Sequence, residues 1–421
     1  MKTLRRILLA ITVFLAVSTL LGTAFAATSA RVLHTFVGSE TGFQPSSGVI
    51  FDASGNLYGE LAEWDYSTGR VYKLSPDPDG TWSEIVLYEF TGGADGATPQ
   101  GGLVFDASGN LYGTTAPAFG SDPGLVFKLT PNPDGTWSES VIYSFTGGED
   151  GSFPSSGVIF DAAGNLYGTA RYGGNLACEG ALPGCGVVFK LAPNPDGSWT
   201  QSVLYSFTGG ADGANPLAGL IFDESGNLYG TAASGGRFHD CIDGQGCGTA
   251  FKLTPQPDGS WMQSVIFAFS ASAGGEPAAP MMFDAAGNLY GTTSRGGENQ
   301  NGVVFQLEKN LDGSWTENVL HAFSGRMDGR LPDQGLTLGA SGSFYGTTSY
   351  DNYSGAGTAF KFKKDSNGNW RGQTVYQFDQ GVVGGSPFRM ILDSAGNLYG
   401  TTSYGGSYGY GTVFEVVRHS P

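Results

Sequence analysis

Short apolar runs alternate with polar, glycine-rich turns along the chain, and beyond residue 26 no stretch keeps apolar positions at helical spacing. That pattern predicts strands and almost no helix. One unit shows the order. Leu103–Phe105 reads as a first strand, A; Leu111–Thr115 as B; Leu125–Leu129 as C; Val141–Phe145 as D. Strands A and C are apolar on both faces, as expected where sheets stack face to face.

The unit repeats. "FDASGNLYG" at 51–59 returns unchanged at 105–113, with near copies at 160–168, 222–230 and 283–291 and eroded ones at 338–346 and 392–400. The Asn of "GNLYG" falls at Asn56, Asn110, Asn165, Asn227, Asn288 and Asn397, with Ser343 in the eroded copy, in steps of 54, 55, 62, 61, 55 and 54 residues. Seven units of four antiparallel strands predict an all-β, seven-bladed propeller. A second motif, "DG[ST]W" or "NGNW", joins C to D and carries Trp82, Trp137, Trp199, Trp261, Trp315 and Trp370, one fewer than the "GNLYG" copies. The missing copy marks the chain ends. "RVLHTF" at 31–36 resembles the D strand "SVLYSF" of the third unit, and "GTVFEVV" at 411–417 is C-like. The last blade therefore takes A, B and C from the C-terminus and D from the N-terminus, closing the ring without an open edge. A solenoid would need capping repeats, and none is visible.

The repeated letters read as scaffold. Asp opens the A–B turn by capping nearby N–H groups, and Gly takes the left-handed conformation there. Pro and Gly do the same between C and D, while Tyr and Trp supply packing surface. The sialidase Asp-box is set aside, because Asp134 stands three residues before Trp137 rather than five.

The linked letters "F.GG.DG..P...L.FD..GNLYGTT..GG....G.VFKL" run from Phe145 to Leu191 and again from Phe207 to Leu253. In these the chain resembles the Gly-rich extracellular "GloVer" tandem-repeat proteins of bacteria. The resemblance implies an exported propeller of unknown biochemical role. Members often carry a C-terminal surface anchor; this chain stops at Arg418-His419-Ser420-Pro421 without a hydrophobic tail, so release into the periplasm or medium is the expectation.

The first residues support export. Lys2, Arg5 and Arg6 precede an apolar run from Ile7 to about Leu21 and a small-x-small site at Ala24-Phe25-Ala26, which reads as a signal peptide over 1–26. Residues 27–421 then form a single domain with no expected membrane insertion. Loss of three positive charges takes the net charge from −17 to about −20, which argues against nucleic acid and anionic membrane surfaces as partners. Cys178, Cys185, Cys241 and Cys247 point to disulfides in an exported protein. Three pairings are open; the local bridges Cys178–Cys185 and Cys241–Cys247 are expected. A metal site of Cys241, Cys247, His239 and Asp240 is the weaker alternative, and no cofactor is expected. Ca²⁺ at the recurring D–A "DG" (Asp95, Asp150, Asp212, Asp328) is conceivable, but turn formation explains these residues.

Candidate chemistry lies in the variable loops. B–C and D–A share one face, and the B–C loops vary most. Blade one reads "GELAEWDYSTGR", with Glu60, Glu63 and Asp65 as weak catalytic candidates beside Trp64 and Tyr66. Arg171, Tyr172, Arg237, Phe238, His239, Tyr350, Asp351, Tyr353, Tyr404, Tyr408 and Tyr410 complete a polar, aromatic face. The expected protein is a monomeric, non-enzymatic binder of carbohydrate or a cell-surface partner. The alternatives are a carbohydrate-active hydrolase or lyase on the same face, and a structural envelope protein. The four His, at 34, 239, 321 and 419, show neither triad nor zinc spacing.

Overall fold

The computed structural model describes residues 29–38, 43–63, 68–116, 123–178, 183–238, 240–241 and 244–417. The signal peptide expected at 1–26 lies outside them. Seven antiparallel sheets form the blades of a propeller. Blade two runs Pro99–Phe105, Leu111–Thr115, Leu125–Pro131, Trp137–Ser144 from the axis outward. In the last blade, Ser29–Thr35 pairs antiparallel with Thr412–Val417, from Ser29↔Val417 to Thr35↔Thr412, with a one-residue register shift between Val32 and His34. The chain ends thus complete one sheet, as the missing C–D turn predicts. Among the described residues the one helical turn is Ala340–Gly342.

Each "FDASGNLYG" does local work. The Asp106 carboxylate accepts the Ser108 and Asn110 N–H groups at 2.9 Å, the Asn110 side-chain amide at 2.6 Å and the Tyr112 hydroxyl at 3.3 Å. Partial burial opposes its charge, but these donors outweigh it and hold the carboxyl below its usual range. Gly109 supplies the φ of 82° that the turn needs. The second Gly answers a different demand: a Cβ on Gly113 would lie 2.5 Å from Phe127 Cζ. The Tyr112 ring meets the next blade's Phe160 and Trp199 edge-on at 5.1 and 6.3 Å. One motif therefore caps its own turn and glues two blades.

The D–A "DG" is also a turn. Asp150 accepts from Thr146 N–H, Thr146 Oγ1 and Tyr143 Oη. Each of the local cysteine pairs is a disulfide, Cys178–Cys185 and Cys241–Cys247. Both sulfurs of the second bridge are thus bonded to each other, which leaves no thiolates for the alternative metal site; His239 lies outside the described residues.

Strand A departs from expectation. In blades one, three, four and five only two residues form it, as in Ile50–Phe51. In blades two to seven the residue before the inner proline is held at positive φ: Thr98, Phe153, Asn215, Glu276, Leu331 and Ser386 have φ of 44–61°. A non-glycine residue tolerates this only where its surroundings over-determine it. Here the Phe153 N–H donates to Pro123 O of the preceding blade at 2.7 Å, while its carbonyl accepts Arg171 N–H of its own blade at 3.0 Å. The strained residue ties two blades together where the inner segment begins.

Candidate functional site

Those segments wall a cavity of about 850 Å³ on the axis, to which all seven blades contribute. Its lining is mostly glycine, serine and apolar side chains, with Gln100, Gln334 and Thr337 and two charged residues, Asp333 and Arg389. Asp333 Oδ1 accepts from Ser349 Oγ at 2.5 Å and Gln334 Nε2 at 3.1 Å; burial raises its pKa against both. Arg389 is solvent-accessible, but it lines the cavity, and the surrounding protein lowers its pKa by desolvation. Ser155 Oγ, also in the wall, is buried without a hydrogen-bond partner.

The B–C and D–A segments meet at one end of the ring. Bridges join Ser152 to Tyr172, Ala214 to Ser234, Gly275 to Arg295 and Arg330 to Tyr350. Several expected residues sit here. Arg171 lies over the Tyr172 ring at 4.9 Å and Arg237 over Phe238 at 4.8 Å. Tyr404 donates to Gly355 O at 2.9 Å, tying the last blade to blade six, and Tyr410 packs on Phe43 at 5.0 Å. These aromatics are committed to internal contacts. Tyr353 and Tyr408 remain open, 86% and 62% exposed, and Tyr350 is 41% exposed. Asp351 is buried and accepts the N–H groups of Tyr353, Ser354 and Gly357 at 2.7, 2.5 and 3.0 Å. Its role is to fix the loop that presents Tyr353.

Blade one differs from its sequence reading. Trp64, Asp65 and Tyr66 lie outside the described residues; Glu63 is half-buried at the loop's edge. Glu60 is not on the loop. It belongs to strand Leu57–Ala62 and is fully buried. Its Oε2 accepts Gly102 N–H of blade two at 3.0 Å, and Oε1 has no partner at good geometry. Burial pushes its pKa up to about 7, against the weaker pull of the Ser47 hydroxyl and the Gly102 N–H. Five of the other blades place here a threonine that bonds the next blade's backbone, as Thr169 does to Ala218 O at 3.0 Å and Thr401 to Ser47 O at 2.6 Å. Tyr72 is a second blade-one change, standing where the others have phenylalanines such as Phe127; its hydroxyl is buried and unpartnered. The sequence offered the signal for both, as odd letters in aligned columns.

The family model described as the Gloeobacter/Verrucomicrobia repeat matches residues 16–242 and 242–420. No curated protein matches the sequence. Among solved structures, the extracellular domain of a protein assigned as a one-component system from B. thetaiotaomicron aligns at TM-score 0.52 and 12% identity, over 94% of this chain and 43% of that one. An ancestral GH74 enzyme aligns at TM-score 0.50 and 12% identity, over 90% and 52%. A glucose dehydrogenase aligns at TM-score 0.43 and 14% identity, over 93% and 100%. The chain spans about half the length of the first two. At these identities the likeness is one of fold.

Proposed function

The chain belongs to the Gloeobacter/Verrucomicrobia repeat family, and we propose that it is an exported, non-enzymatic binding propeller whose B–C and D–A face takes a carbohydrate. The observation that carries this reading is Tyr353: an aromatic ring 86% exposed, on a loop fixed by the Asp351 carboxylate. An exposed ring on a rigid support suits stacking on a sugar, because little conformational entropy is lost on binding. Two disulfides favour an oxidising compartment. The hydrolase reading needs two carboxyl groups roughly 5–9.5 Å apart across an accessible bond. Glu60 is buried between blades, and among the described residues the cavity wall holds one acid, Asp333.

Native gels loaded with neutral and acidic polysaccharides test the reading. The protein is expected to be retarded by at least one glycan without releasing reducing ends. Free migration in every gel contradicts carbohydrate binding and turns the search to a protein partner or a structural role. Release of reducing ends restores the hydrolase.

A further inference from the structure

Aligning the inner strands on their last aromatic or aliphatic residue exposes one anomaly. Three positions before Phe51, Phe105, Phe160, Phe222, Phe283 and Leu338 stand Gly48, Gly102, Gly157, Gly219, Pro280 and Gly335. Three positions before Leu392 stands Arg389. Of these residues all but Gly335 line the axial cavity. Five blades give the wall a residue without a polar side chain at this position; the last blade puts a guanidinium there. Packing does not require it. The backbone of blade one runs against the Arg389 main chain, where a Cβ on Gly48 would lie 2.5 Å from Arg389 O, and glycine would satisfy that approach equally.

The guanidinium has little to hold. Its hydrogen bond is a long one, Nε to Thr337 Oγ1 at 3.5 Å, and among the described residues no carboxylate pairs with it. Asp333, the other charge in the wall, is turned to Ser349 and Gln334. The Arg389 side chain is exposed to the solvent of the cavity, while the protein around it lowers its pKa by desolvation. An incoming oxyanion would supply the charged partner that the wall does not. The guanidinium's planar fork matches a carboxylate in two parallel hydrogen bonds. A cavity of about 850 Å³ lies within the range of small-ligand sites.

We propose that the axial cavity binds a short saccharide carrying a carboxylate, a uronate di- or trisaccharide, with the carboxylate on Arg389. This deepens the carbohydrate reading and rests on it, but places the acidic sugar in the channel rather than on the tyrosine face.

Calorimetric titration of the purified protein with digalacturonate, its methyl ester and inorganic sulfate tests the assignment. Digalacturonate is expected to bind one to one. Methyl esterification and Arg389→Gln are each expected to weaken it tenfold or more, Arg389→Lys less, with the melting temperatures of both variants unchanged. Equal binding of the ester, or of digalacturonate by Arg389→Gln, overturns the proposal. Displacement by sulfate at a matching concentration overturns the sugar assignment in favour of a simple anion site. Retardation by neutral glycans through Tyr353 with no digalacturonate binding overturns the channel site alone and leaves the face reading standing.

Discussion

Glu60→Thr is expected to stabilise the protein at pH 8 and to cost about 1 kcal/mol at pH 4, where only the void left by the shorter side chain counts. The carboxyl titrates at about 7 in the fold against an ordinary 4.5, because it is fully buried. Below pH 4.5 it is protonated in both states. Between 4.5 and 7 the unfolded chain releases the proton and the folded chain keeps it, so stability falls as pH rises, by up to ~1.4 kcal/mol per unit. The loss is complete above pH 7 and amounts to about 3 kcal/mol. Threonine removes it and brings the hydroxyl that other blades use, at the cost of a small void worth about 1 kcal/mol. The net gain of about 2 kcal/mol corresponds to a Tm rise of roughly 2–3 °C in a chain this long. Glu317, pushed by burial to about 8, and Glu139, pushed to about 7 by burial and by Asp95, act in the same direction. The turn-capping aspartates act oppositely: their pKa values are lowered in the fold, so their contribution is lost as pH falls through the usual carboxylate range. The wild type should therefore melt higher at pH 5 than at pH 8. A Glu60→Thr variant that melts lower than wild type at pH 8 would mean that the carboxyl has a favourable partner after all.

Removing residues 29–36 is expected to destroy the cooperative fold. The segment supplies a whole strand to the last blade, and Phe36 and Leu33 are buried against blade one and the last blade. Truncating one such phenylalanine costs about 3–5 kcal/mol, and the lost strand adds to that, against a total stability of about 5–15 kcal/mol. The Arg31–Glu415 ion pair, at 2.7 Å, matters little, because Arg31 is 53% exposed. Loss of the strand also bares Thr412–Val417 as an edge, so aggregation should follow. The milder Phe36→Ala should still fold and melt roughly 4–6 °C lower. Retained cooperative melting in the truncated chain, read by differential scanning calorimetry, would refute ring closure through this strand.

The fold was legible because its determinants are local and repeated. The Asp-x-x-x-Asn-x-Tyr spacing that predicts the A–B turn is the spacing at which Asp106 meets Asn110 and Tyr112, and the shortfall of one tryptophan located the chain ends. The site was less legible, because its features are departures from the repeat. Glu60 read as a loop residue on its polarity; its burial depends on blade two closing over it, which no local pattern encodes. The left-handed residues before the inner prolines were hidden for the same reason: Phe153, for one, is held by a bond to the preceding blade. Arg389 was visible only as the one charged letter in a column of five glycines and a proline, and its meaning required the axis that the ring creates.

The account's central claim is that the repeated letters hold the ring and the variable face binds. Melting temperature and polysaccharide retardation, measured together on Trp137→Ala and Tyr353→Ala, test it most directly. Trp137 is half-buried against Tyr58, so its loss should cost about 2–3 kcal/mol, with Tm lower by roughly 2–4 °C and retardation unchanged. Tyr353→Ala should keep the wild-type Tm and bind at least tenfold more weakly. Retardation equal to wild type in Tyr353→Ala, or a melting temperature untouched by Trp137→Ala, would contradict the division between scaffold and binding face.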